Sequence, residues 1–193
     1  MVEPLWRVFV AIDPGDEARR ALAELSARLE AACRLAGVKA SYPRPETLHL
    51  TLRFIGDVTP ERAAEIGRAL APIGATDRLE IAFGALGAFP DEKKPRVLWI
   101  APVRGGGALK SLAEQVDRCL AGLGIPPEGR QFRPHLTLAR VKRSSGSVAP
   151  VIEKVSPAGE IASPISEVVL YRSDLLPRGA HHTPVARVPL GAD

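Results

Sequence analysis

Cysteine is scarce, with only Cys33 and Cys119 in 193 residues. They stand far apart, each inside a helix-like run, and neither belongs to a C-x-x-C pair. Both read as small core residues in a reducing compartment, with no redox pair between them. Long apolar runs are missing too. The stretch from Leu5 to Ile12 is too short to span a bilayer, and "MVEPLWRVFVAIDPGD" lacks the layout of a secretory signal. A soluble, cytoplasmic protein without a membrane partner is expected. No strict short-period repeat or low-complexity tract occurs, which excludes solenoids. No strong metal motif is present, and no cofactor is expected. Histidine is rare, at four residues.

What is present suffices for a conventional core. The length fits one compact domain or two small lobes sharing a core, and 46% of the residues are apolar. The net charge is +4, a modest excess compatible with a phosphate-bearing ligand. Positive residues thicken around Arg130, Arg133, Arg140, Lys142 and Arg143.

The order of elements follows from periodicity and punctuation. "LWRVFVAI" reads as a strand that stops at "DPGD", where Asp13 is placed to cap the next helix. "EARRALAELSARLEAACRLAG" has helical spacing and ends at Gly37. "ETLHLTLRFIG" alternates as a strand, and "TPERAAEIGRALAPI" is a helix with Thr59 as cap and Pro60 as first residue. Two strands, "RLEIAFGAL" and "RVLWIAPV", flank the loop "GAFPDEKKP". A third helix, "GALKSLAEQVDRCLAGLG", leads to the strand "HLTLARVKR" and the stretch "SSGS". A short helix around Val151 to Val155 and two last strands complete the chain, with a loop "PRGAHH" between those strands. This order favours an α+β architecture with antiparallel sheets. His181 and His182 then fall in an exposed loop, and Tyr171 and Trp99 in the core.

One tetrapeptide occurs twice. His-Leu-Thr-Leu begins at His49 and again at His135, so two of the four histidines open the same motif on two strands. Strand side chains alternate, so His49, Thr51 and Arg53 share one face while Leu50 and Leu52 share the other. His135 and Thr137 project together in the second copy. Each strand thus carries a proton-transfer group and a hydroxyl roughly 7 Å apart. Two such strands facing one another could clamp a phosphoryl group. One imidazole would remove a proton from the attacking oxygen, and the other would donate to the leaving oxygen. Threonine hydroxyls and nearby arginines would hold the non-bridging oxygens.

These residues resemble the 2H phosphoesterase superfamily, whose hallmark is two H-x-T-x motifs. Within it the chain is similar to the bacterial and archaeal RNA 2′,3′-cyclic phosphodiesterases, long called 2′-5′ RNA ligases. The likeness runs through "RVFVAID", "ETLHLTLRFIGDV", "GAFPDEKKPRVLWI", "FRPHLTLARV" and "VVLYRSDLLPRG", and so spans nearly the whole chain. It implies a single bilobal domain over residues 1–193, pseudo-twofold duplicated, with two antiparallel sheets and flanking helices around a central cleft. His49 and Thr51 would line one wall, His135 and Thr137 the other. It implies hydrolysis of a terminal 2′,3′-cyclic phosphate to a 2′-phosphomonoester, with a possible 2′-5′ ligation. The partners implied are RNA with such ends or small cyclic nucleotides, met by a monomer. It places Arg140 near the substrate and Phe9 against its base or sugar. Arg53, on the His49 face by parity although many relatives carry a different residue there, and Phe132, beside Arg133-Pro134, are further contact candidates. Strict alternation from His135 sets Arg140 on the wrong face unless the strand bulges or ends there. The closing "RGAHHT" departs from the Gly-Pro-x-Tyr frequent in relatives.

Two other functions fit the residues. One is an RNA-end or nucleotide-binding module without turnover, suggested by the basic residues. The other is a metal hydrolase using His135, His181 and His182, although no carboxylate sits at a familiar ligand spacing.

Overall fold

The computed structural model describes residues 4–176 and 179–191. Nine strands and four α-helices follow in the order β1 (Trp6–Ile12), α1 (Asp16–Leu35), β2 (Lys39–Ser41), β3 (Leu50–Val58), α2 (Pro60–Ala69), β4 (Leu79–Phe89), β5 (Val97–Arg104), α3 (Gly106–Ala121), β6 (Leu136–Arg143), α4 (Ala149–Val155), β7 (Ile161–Ile165), β8 (Glu167–Leu176) and β9 (Gly179–Pro189). The helix boundaries follow local chemistry. Thr59 caps α2 by accepting the Arg62 N–H at 3.2 Å, and Pro60 supplies the first residue. Gly37 closes α1 at φ 71°, which lets the Val38 N–H return to the Cys33 carbonyl at 2.8 Å. Asp13 is not the cap of α1. The helix begins at Asp16, so Gly15 holds that position without a side-chain bond, and Asp13 stands two residues earlier.

All strand pairings are antiparallel, in the order β7-β4-β5-β6-β3-β1-β8-β9, with β2 pairing β6. The two expected sheets are the two halves of this one sheet. They join through a single residue pair, Leu50 with Leu136. Counting outward from that seam, each half presents a motif strand and then the strand that precedes a long helix: β3 then β1, β6 then β5. The duplication read from the tetrapeptide is therefore a pseudo-twofold relation about the seam.

The helices pack on one face of the sheet. Leu50, Leu52, Leu136 and Leu138 point into that core with Leu22, Leu29, Leu112 and Val116 from the helices. The opposite face carries a separate small cluster, Phe9, Ala11, Val169 and Tyr171. Cys33 is buried in α1, Cys119 is half-buried in α3, and burial pushes both thiols up. Among the described residues no helix is long and apolar enough to cross a membrane.

Candidate active site

The site is built where the sheet opens on either side of the seam. Carrying the antiparallel Leu50–Leu136 register one residue each way sets His49 against Thr137 and Thr51 against His135. Both histidines immediately precede their strands, and both are held alike. The Nδ1 of His49 lies 2.7 Å from the Thr47 carbonyl, and that of His135 lies 2.7 Å from the Arg133 carbonyl. A carbonyl can only accept, so each Nδ1 carries the proton, and each neutral ring keeps Nε2 as its free basic nitrogen. Each ring also rests on two aromatics. His49 lies 4.9 Å from Phe9 and 6.5 Å from Tyr171 between ring centroids. His135 lies 5.0 Å from Phe89 and 6.5 Å from Trp99.

Arg140 joins this face through a bulge. In the β5–β6 ladder Leu98 pairs with Ala139 and Trp99 with Thr137, so Leu138 is an extra residue. The extra residue inverts the alternation and returns Arg140, exposed, to the side of His135 and Thr137. Its charge reaches His49. An equivalent bulge in β3 has the reverse result for Arg53. There Val10 pairs with Arg53 and Ala11 with Thr51, leaving Leu52 extra. Arg53 is turned inward, only 7% exposed, and faces Asp117 of α3 at 3.4 Å and Glu128 at 3.3 Å, with a hydrogen bond to the Pro126 carbonyl. It does not line the cleft. Phe54 takes the place that Arg140 has in the other half and is 51% exposed. Two further sequence expectations land differently. Phe9 is 4% exposed and props His49 rather than presenting a free ring, and Phe132 is half-buried against the main core. Thr51 and Thr137 are half-buried beside their histidines.

His181 and His182 are not in a loop. They belong to β9, opposite Asp174 and Ser173 of β8; Pro177 and Arg178 of the expected loop lie outside the described residues. Being consecutive, the two histidines point to opposite faces. The His182 ring meets His49 edge-on at 5.1 Å and Phe9 at 5.0 Å. His182 sits in the half of the sheet that holds His49, so a ligand trio with His135 does not form. Among the described residues no three His, Cys, Asp or Glu side chains group as metal ligands. A cavity of about 310 Å³ is lined by His49 itself together with Asp13, Arg19, Tyr171, His182 and Arg187 among others. The Tyr171 hydroxyl donates to Asp13 at 2.6 Å. Tyr171 is core-like in burial, as its strand pattern implies, yet it borders the site.

Burial dominates the electrostatics. It lowers the His49 pKa, with Arg140 and Arg19 acting in the same direction, against the Thr47 carbonyl and the Asp13 carboxylate, which raise it. His182 is pushed down to about 4 by burial and by its histidine neighbours. Both rings are therefore neutral near pH 7. The sequence pattern places His182 in a loop or as a metal ligand and not beside His49, and Phe54 and Phe89 are not among the expected site residues. His182 was hidden by an apparent turn, and the bulge that presents Phe54 leaves no mark in an alternation count. The sequence pattern ends the strand before Phe89, whereas β4 runs through it.

Comparison with known proteins bears on the fold and the family. The model of the LigT-like phosphoesterase family matches twice, over residues 12–99 and 100–181, one match for each motif. A curated Archaeoglobus fulgidus protein named RNA 2′,3′-cyclic phosphodiesterase is 36% identical over 173 residues, 90% of this chain and 94% of its own length. One of the same name from Aeropyrum pernix is 43% identical over 116 residues, 60% of this chain and 65% of its own. A Thermus thermophilus crystal structure superposes with TM-score 0.78 at 26% identity, covering 95% of this chain and 97% of that one. Escherichia coli LigT, solved with 3′-AMP, superposes with TM-score 0.75 at 22% identity, covering 98% and 100%. Two strands that carry the same motif, set antiparallel at the seam of a duplicated sheet, and a family model matched once per copy lead to one conclusion: this chain belongs to the LigT-like phosphoesterase family.

Proposed function

We propose that the chain hydrolyses the terminal 2′,3′-cyclic phosphate of RNA, or of a small cyclic nucleotide, to a 2′-phosphomonoester by paired imidazole catalysis without a metal. One Nε2 takes a proton from water as its oxygen bonds to phosphorus. The P–O3′ bond breaks, and the second imidazole, protonated, gives its proton to O3′. The rings then re-equilibrate with solvent. Thr51, Thr137 and Arg140 hold the non-bridging oxygens and offset the charge that builds there. Phe54, exposed at the far end of the same face, offers an apolar surface for the terminal base. A 5′-hydroxyl in place of water would give a 2′-5′ bond by the same steps.

The observation that carries this reading is the matched pair of histidines with Nδ1 occupied by a carbonyl two residues back, which leaves both Nε2 atoms for chemistry. The names of the curated relatives support the substrate. The test is turnover of a nucleoside 2′,3′-cyclic phosphate in excess chelator. His49→Ala and His135→Ala should each lower kcat/KM by about two to four orders of magnitude. Unchanged rates in both variants, or tight binding without turnover across a broad pH range, would overturn it in favour of a binding module.

A further inference from the structure

Arg140 is not the end of the positive surface. Two residues on, about 7 Å along β6, a groove of about 520 Å³ opens between the end of that strand and the loop before β5. Lys93, Lys94, Arg96, Lys142 and Arg143 line it, and all five are exposed. None of them enters an ion pair among the described residues. Other exposed cations, such as Lys110 and Lys154, are also outside the ion pairs of the described residues, so it is the gathering of five in one place that marks this surface. Five of the chain's 26 lysines and arginines gather here, an excess of +3 once Asp91 and Glu92 of the same loop are set against them. Of the loop's acids, Asp91 folds back to accept the Lys93 and Lys94 backbone N–H groups at 2.8 and 2.9 Å, and Glu92 does not line the groove.

The backbone beneath the groove is held in place. The Val141 N–H donates to the Arg96 carbonyl at 2.8 Å and the Val148 N–H to the Glu92 carbonyl at 2.8 Å, tying the loop to β6 and to the residue before α4. Pro95 is buried beneath it. A concave row of cations on a tied-down backbone suits a chain of phosphates, and the exposed side chains can adjust to it.

We propose that this groove binds the phosphodiester backbone of the RNA strand behind its cyclic end, so that an RNA is preferred over a mononucleotide. Lys93, Lys94, Lys142 and Arg143 neutralise successive phosphates while Arg140 holds the terminal one. The chemistry calls for no base-edge contact, so the preference is for strand length and not for sequence. The inference rests on the proposed RNA-end chemistry for the identity of the strand.

The experiment compares a nucleoside 2′,3′-cyclic phosphate with an RNA of about eight nucleotides, within the usual single-strand site sizes, ending in the same cyclic nucleotide. Wild type is set beside Lys93→Ala/Lys94→Ala and Lys142→Ala/Arg143→Ala. Wild type should turn over the RNA with the higher kcat/KM. Each double variant should raise KM for the RNA, leave kcat in place and leave the mononucleotide unchanged. The slope of log affinity against log salt should become shallower by about 0.7 for each lost phosphate contact. Equal treatment of the two substrates by wild type, an RNA preference that survives both variants, or an equal loss on both substrates would overturn the groove. Should neither substrate turn over, the catalytic reading fails, and binding alone decides the groove. Anisotropy of the same labelled RNA bearing a 2′-phosphate should then show salt-dependent binding that both variants weaken. Unaltered binding overturns the proposal, as does polyglutamate competing as well as RNA at equal charge.

Discussion

His182 lies edge-on against His49 and Phe9, so its protonation is linked to folding. Its native pKa, about 4, sits below the 6.5 of an unconstrained histidine. The unfolded chain therefore takes up the proton first as pH falls. The stability tied to this group is whole above about pH 6.5 and is lost between there and about pH 4. The thermal midpoint should fall across that window, and His182→Phe should make the fall shallower; an identical fall in the variant would refute the linkage. Arg140 acts on His49 through its charge, which disfavours the imidazolium. Arg140→Gln should raise the His49 titration midpoint in an NMR pH series, and a fixed or lowered midpoint would remove Arg140 from the site. Arg53 has a different task. Buried against Asp117, Glu128 and the Pro126 carbonyl, it ties β3 to α3 and to the segment before the second motif. Arg53→Leu should cost about 1–3 kcal/mol in urea unfolding, the usual loss for a charged hydrogen-bonded group. A loss of kcat/KM with stability intact would instead return Arg53 to the substrate.

At the scale of elements, the bulges decide what each motif strand offers. Both strands read His-x-Thr-x-x-z, and one extra residue in each turns the sixth position, Phe54 or Arg140, to the cleft. One wall thus ends in an aromatic and the other in a cation. Packing behind the second motif is as tight. A Cβ built at Gly87 in β4 would meet the Trp99 ring at 2.4 Å, and Trp99 and Phe89 together back His135. Gly87→Ala must displace that indole. It should lower kcat/KM by roughly tenfold, a shift of about 1.4 kcal/mol in the barrier, at a stability cost of about 1–3 kcal/mol. Wild-type kinetics in a folded Gly87→Ala protein would show that the aromatic backing of His135 is dispensable.

Across the whole molecule, two halves share one core although their strands meet at a single residue pair. The main buried cluster takes in all four helices and both halves of the sheet. Such a chain should unfold as one unit rather than lobe by lobe. The two tryptophans report on it separately, since Trp6 lies in β1 of one half and Trp99 in β5 of the other. Trp6→Phe and Trp99→Phe variants, each followed through the remaining tryptophan, should give coincident urea transitions with equal slopes. Separate midpoints would mean that the halves fold independently and that the cleft can open by local unfolding. Paired proton transfer also makes a claim at this scale, because one residue comes from each half. kcat/KM should trace a bell against pH, and a monotonic profile would count against it.

The repeated His-Leu-Thr-Leu, the helix starts at Thr59-Pro60 and the stop at Gly37 act over a few residues, so the sequence alone determined the motif strands, their leucine-in and histidine-out alternation, and the duplication. Arg140's need for a bulge was legible as a condition. Whether that bulge forms depends on the ladder with β5, which no local pattern encodes. The same is true of Arg53, whose right parity by counting was overruled by the extra residue beside β1 and by the carboxylates of α3 and Glu128. His182 looked like part of a turn because Pro, Gly and two histidines in a row carry no strand signal. Pairing with β8 made it a strand residue and set it on His49. The groove was visible only as a thickening of charge near the second motif, because Lys93 and Lys94 come from a loop about fifty residues earlier in the chain. Local propensity and periodicity are properties of a segment, whereas register, ion pairing and the meeting of distant loops are settled by free energy shared among elements far apart in sequence.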